Sequence, residues 1–179
     1  MSRLLLTLFL ATGLPGPAPA EEKPPEELWN LVRFMEGTWA GKAEGRFGSA
    51  TVERTYSFVL DGTYLHERNT STYPPQEKNP KGEVHDHWSF MSLDRGRRTL
   101  VLRQFHDEGI VNQFVLRLDL TTEGTIVFES EAIENFQEGW RAREIYRLTS
   151  DDEFVEEFQL APPEKDFQVF IETHFERRD

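Results

Sequence analysis

The sequence predicts an all-β fold: a single ten-stranded antiparallel up-and-down β-barrel with one short N-terminal helix. Three observations predict it. From Thr38 onward, apolar residues recur with a period of two rather than 3.6. Turn chemistry interrupts that pattern at hairpin-length intervals, at Gly48-Ser49, Asp61-Gly62, Asp94-Arg95-Gly96, Glu108-Gly109, Glu123-Gly124, Glu138-Gly139, Asp151-Asp152 and Pro162-Pro163. Finally, so many strands have only one short helix to pack on, and closing the sheet both buries a face and removes the edges.

Residues 1–20 have the form of a signal peptide. Arg3 gives a positive start, residues 4–14 are mostly apolar, and Ala18-Pro19-Ala20 is the small-x-small pattern of a cleavage site. The apolar run is about half the length that spans a bilayer, so cleavage after Ala20 and a periplasmic or secreted protein without membrane insertion are expected. The chain has no cysteine, which excludes disulfides, thiolate ligands and lipid attachment through a thiol. A net charge of -12 argues against nucleic acid as a partner. Residues 21–36 form a lead-in and the short helix, opened by Pro25-Glu26-Glu27, carried by Leu28, Leu31, Val32 and Met35, and ended by Gly37. Residues 37–179 are the barrel domain.

Candidate strands span 38–47, 50–60, 63–73, 84–93, 98–107, 110–119, 124–133, 139–148, 153–161 and 166–176. Asp61-Gly62 is the strongest two-residue hairpin signal. Two hairpins define their own register. Around 134–138, Val127 falls opposite Ile145, Glu129 opposite Arg143 and Glu131 opposite Arg141, while Phe128, Ser130 and Ala132 face Glu144, Ala142 and Trp140. Opposite charges across strands stabilise a solvated face by about 0.2–1 kcal/mol per pair, so the Glu/Arg ladder points out and Glu144 points in. Around Asp107-Glu108-Gly109, Leu102 opposes Phe114, Leu100 opposes Leu116, Gln104 faces Asn112 and His106 faces Ile110. Polar groups therefore gather at one end of an apolar inner face, as in a ligand cavity. On strand 84–93, Trp88 and Phe90 are expected inside, which leaves His85 and His87 outside. On strand 166–176, Phe167, Val169, Ile171 and Phe175 form the apolar face; His174 shares the other with Glu172 and Glu176 unless a bulge flips it.

Gly37-Thr38-Trp39-Ala40-Gly41, just after a short helix, resembles the GxW signature that opens calycin-type barrels such as lipocalins and fatty-acid-binding proteins. In that superfamily the tryptophan closes the barrel bottom and a late arginine packs across it, a part open here to Arg177 or Arg178. The further small residues Ala43 and Gly45, the hairpin Tyr56-Ser57-Phe58 through Asp61-Gly62 to Tyr64-Leu65, and His174-Phe175-Glu176-Arg177 are similar to the nitrobindin-type haem-binding barrels. The middle, from Arg103-Gln104-Phe105-His106 to Trp140-Arg141-Ala142-Arg143-Glu144, looks like uncharacterised bacterial calycin-like domains. The resemblance implies haem b as a cofactor, His174 as its axial ligand, and gas-binding or peroxynitrite-isomerase chemistry.

The residues themselves favour an exported binding protein that holds a small apolar or amphipathic molecule, with Gln104, His106, Asn112 and Glu144 as ligand-binding residues. A His106–Glu144 pair has acid–base character, but no nucleophile accompanies it and no catalytic residue is assigned. His85 and His87, two apart on a strand, would complete a metal trio with His106; with Trp88 and Phe90 placed inside, no metal is expected. The haem-binding barrel is the alternative. A third reading is an envelope interaction module using the outer face and the proline-rich loop 74–82.

Overall fold

A computed structural model describes residues 25–178, so the expected signal peptide lies outside the described residues. All ten expected strands are present: β1 (Gly37–Gly45), β2 (Gly48–Val59), β3 (Tyr64–Tyr73), β4 (Glu83–Asp94), β5 (Thr99–His106), β6 (Val111–Leu116), β7 (Thr125–Glu134), β8 (Arg141–Ser150), β9 (Glu153–Ala161) and β10 (Gln168–Arg178). Each pairs antiparallel with its chain neighbours, and β1 closes the barrel on β10, with Thr38 opposite Arg178 and Gly45 opposite Ile171. Between β2 and β3, Asp61 and Gly62 both take positive φ, 55° and 76°, as a tight hairpin of right-handed twist requires.

The N-terminal helix differs from expectation. Two 3-10 helices, Pro25–Leu31 and Arg33–Met35, replace one amphipathic α-helix. The reason lies in the spacing of Trp29, Val32 and Met35, all buried and each three residues apart. A 3-10 helix stacks such residues on one edge, whereas a 3.6-residue turn would rotate them apart. The hydrogen bonds Val32 N–H to Trp29 O and Met35 N–H to Val32 O have that three-residue span.

These helices plug one end of the barrel. The Trp39 indole N–H donates to Met35 O at 2.7 Å, and the Arg177 guanidinium lies 4.2 Å over the Trp39 ring while donating to Phe34 O and Glu36 O. Arg177, not Arg178, is thus the arginine across the tryptophan. Above this plug Tyr56, Phe114, Phe128, Tyr146, Phe154 and Phe175 fill the lower interior, with Phe154 stacked on Phe175 and edge-on to Trp39. Gly41 is part of this packing: a Cβ there would meet Phe175 Cε1 at 2.7 Å and Thr173 Cγ2 at 2.8 Å. Gly41→Ala is expected to destabilise by about 1–3 kcal/mol through overpacking, read as a lower denaturation midpoint. An unchanged midpoint would mean that the wall yields freely at this point.

Both hairpin registers are as expected where the ladders run. Leu102 faces Phe114 and Gln104 faces Asn112; Val127 faces Ile145, Phe128 faces Glu144 and Glu129 faces Arg143. The β7–β8 ladder ends there, so the Glu131–Arg141 pair does not form. Ser130 Oγ instead accepts from Ala142 N–H, Glu131 takes Arg97, and Arg141 stacks over Phe167. Glu129 does pair outside with Arg143 and also with Arg117.

Two strand faces need correction. On β4 the inward residues are His87, Ser89 and Met91, all buried, whereas Trp88 is 51% exposed. The apolar-in rule fails because both faces of β4 are mixed, and its pairing with β3 sets the parity: Ser89 lies opposite buried Glu67 and His87 opposite buried Asn69. On β10 the register shifts between Val169 and Ile171. This irregularity leaves Val169 54% exposed and lets both Phe170 and Ile171 line the interior.

Candidate functional site

Opposite the plug, the barrel opens into a cavity of about 380 Å³, within the range usual for small-molecule sites. Alternation builds it: each strand that supplies an apolar side chain to the packed lower interior sends a same-face residue into the upper half. On β2 the buried series is Val52, Arg54, Tyr56; on β9 it is Phe154, Glu156; on β8 it is Ala142, Glu144, Tyr146. Its apolar lining includes Ile133, Phe158, Leu160, Phe170 and Ile171.

Beside these residues runs a chain of polar groups. His85 Nε2 lies 3.2 Å from His106 Nδ1, and His106 Nε2 lies 3.0 Å from Asn112 Nδ2. Asn112 donates to Gln104 Oε1 at 3.3 Å, and Gln104 Nε2 donates to Glu144 Oε1 at 3.1 Å. Gln104, His106, Asn112 and Glu144 thus all line the cavity. His106 and Glu144 do not touch; the two amides separate them. Glu144 Oε2 is buried without a hydrogen-bond partner. Burial, reinforced by the negative charge of Glu156, raises the Glu144 pKa well above the ordinary carboxylate value, which favours the protonated form with an O–H to donate. His106 shifts the other way: burial and then the neighbouring His87 and His85 lower its pKa to about 3, which keeps the ring neutral.

The cavity floor holds a buried ion network that the sequence reading missed. Arg54 donates to both Glu156 carboxylate oxygens at 2.6 and 2.9 Å, lies 3.0 Å from Glu67 and donates to Asn69 at 2.8 Å. Glu67 also holds His87 Nε2 at 3.0 Å. Burial opposes ionisation of Glu67, but Arg54 and His87 outweigh it and hold its pKa at about 2. The signal that would have found these residues is parity: Arg54 sits between Val52 and Tyr56, and Glu156 lies two from Phe154.

His174 is on the outer wall of β10, its side chain 65% exposed and bonded to Glu172 Oε1 at 2.9 Å. The β10 irregularity lies upstream, at Val169, and leaves the His174 parity unchanged. The expectation of His174 as an axial ligand is therefore corrected: it does not reach the interior. The imidazoles that do line the cavity, His85, His87 and His106, stand on β4 and β5, away from the β10 position that the resemblance implied for haem.

No protein-family model matches the sequence, and neither does any curated protein. Among solved structures, the chain is similar to the crystal structure of Rv2717c from M. tuberculosis, with a TM-score of 0.64 and 16% identity over 89% of this chain and 100% of that one. The likeness is one of fold. With the closed ten-stranded barrel it is consistent with a calycin-like architecture, and such barrels serve many unrelated ligands. Chemically, the arrangement offers apolar lining, a buried carboxyl at Glu144 biased towards its protonated form, and a polar relay from there towards the open end.

Proposed function

We propose that this protein is an exported binding protein whose barrel holds a small, largely apolar molecule with an uncharged polar end. The observation that carries this reading is Glu144: a buried carboxyl whose Oε2 has no hydrogen-bond partner, lining a cavity that is otherwise largely apolar. A buried polar group without a partner costs about 1–3 kcal/mol, and a ligand carbonyl or hydroxyl oxygen accepting from Glu144 recovers it. The floor explains why that end is uncharged. Arg54 is already matched by Glu67 and Glu156, so no surplus positive charge awaits an anion. The export component rests on the sequence of residues 1–20 alone.

Native mass spectrometry of protein taken from its own envelope fraction tests for retained mass above that of the processed chain. A titration with an environment-sensitive apolar fluorophore then locates binding. Ser71 lines the cavity, and Ser71→Phe is expected to weaken the fluorophore at least about tenfold, the equivalent of 1.4 kcal/mol. Unchanged affinity in that variant would place the fluorophore outside the barrel and remove the proposal's support.

A further inference from the structure

We propose that His85, His87 and His106 form a site for an imidazole-preferring divalent metal ion, zinc in the first place, at the upper wall of the cavity. The inference goes beyond the organic-ligand reading and does not depend on it. One ring nitrogen from each histidine lies within 4.8 Å of the other two, and all three side chains line the cavity. His85 Nε2 and His106 Nδ1 are already 3.2 Å apart. Two nitrogens each about 2.05 Å from a tetrahedral zinc are separated by about 3.3 Å, so this edge has the ligand spacing before any ion arrives.

The outer partners point the same way. A ligating histidine is normally fixed by a hydrogen bond at its other ring nitrogen. His85 Nδ1 donates to Glu108 Oε1 at 2.9 Å and His87 Nε2 to Glu67 Oε1 at 3.0 Å; His106 Nε2 lies 3.0 Å from Asn112 Nδ2, and ligation through its Nδ1 needs that amide turned so that Oδ1 accepts. The nitrogens left over are His85 Nε2, His106 Nδ1 and His87 Nδ1. The last is buried with no hydrogen-bond partner, an orphan that a metal would satisfy. Three imidazoles leave the fourth tetrahedral position to water or a ligand atom on the cavity side, the composition of an open rather than a sealed site. The carboxylates Asp107 and Glu108 also approach His85, but they are exposed, and a site built on them would not involve His87.

The test uses untagged full-length protein titrated with Co²⁺ and read by its visible d–d absorption, with Zn²⁺ in competition. The expected result is one saturable equivalent with the intensity of a four- or five-coordinate ion, displaced by Zn²⁺. His87→Gln and His106→Gln are each expected to weaken binding by more than about 100-fold, and Asp107→Ala with Glu108→Ala, which together remove both carboxylates from His85 Nδ1, by about tenfold. His174→Gln is expected to bind as the parent does. Zn²⁺ should also raise the thermal midpoint of the parent but not of His106→Gln. Absence of saturable binding, parental affinity in His87→Gln, or equal loss in His174→Gln would overturn the site. Asp107 and Glu108 are exposed, so their double variant decides the matter even if a histidine variant fails to fold; parental affinity there counts against the proposal. The fluorophore titration is independent, so failure of either reading leaves the other legible.

Discussion

Arg54→Met is expected to destabilise the protein by about 3–5 kcal/mol at neutral pH, the usual penalty for stranding buried charge. Arg54 is 4% exposed and is the cation shared by Glu156 and Glu67, which are 7% and 1% exposed. Removing it leaves two carboxylates in a desolvated floor, with His87 still paired to Glu67. It also removes a guanidinium lying 4.4 Å over the Phe175 ring. The pH dependence follows from Glu67, whose folded pKa of about 2 lies below its ordinary value of 4.5. A depressed acid contributes stability above its unfolded pKa and loses it as pH falls through the folded one. The parent therefore loses this contribution between about pH 4.5 and 2, and the Arg54→Met curve converges on it across that window. Urea denaturation at several pH values checks both points. A difference below about 1 kcal/mol at pH 7 would mean that water, not Arg54, compensates the two acids.

Glu144→Gln is expected to act in the opposite direction. Burial first, and the charge of Glu156 second, raise the Glu144 pKa. A raised acid favours folding below its unfolded pKa, and that advantage is lost as pH rises towards the folded one. Glutamine copies the neutral acid: its carbonyl accepts from Gln104 and its amide keeps a donor where Oε2–H pointed. The variant should match the parent near pH 4 and become progressively more stable above it, by no more than about 1.4 kcal/mol per pH unit. Parallel stability curves from pH 4 to 9 would show that Glu144 ionises normally, and the uncharged donor on which the ligand reading rests would be lost. A buried acid that lowers stability at working pH is the kind of residue a protein retains for a site rather than for its fold.

The two corrected faces show how far the pattern of residues reaches. Alternation along β8 placed Glu144 inside because Ala142 and Tyr146 flank it on the same face, and the Glu129–Arg143 pair fixed the opposite parity as outside. The same logic had no purchase on β4, where Trp88 and Phe90 alternate with His87 and Ser89 and neither face is plainly apolar. Apolarity then chose the wrong side. The metal trio was dismissed on that choice.

Strand number, hairpin turns, two registers and the closed barrel were determined by the sequence itself, because each depends on local alternation, turn chemistry or the need to leave no edge. The tertiary structure alone decided which polar residues share the interior. Arg54 and Glu156 are 102 residues apart, and Glu67, His87 and His106 reach one wall from three strands. Parity along a strand records which side chains share a face. Only pairing with the neighbouring strands turns that face inward, and only closure brings such faces within hydrogen-bonding distance.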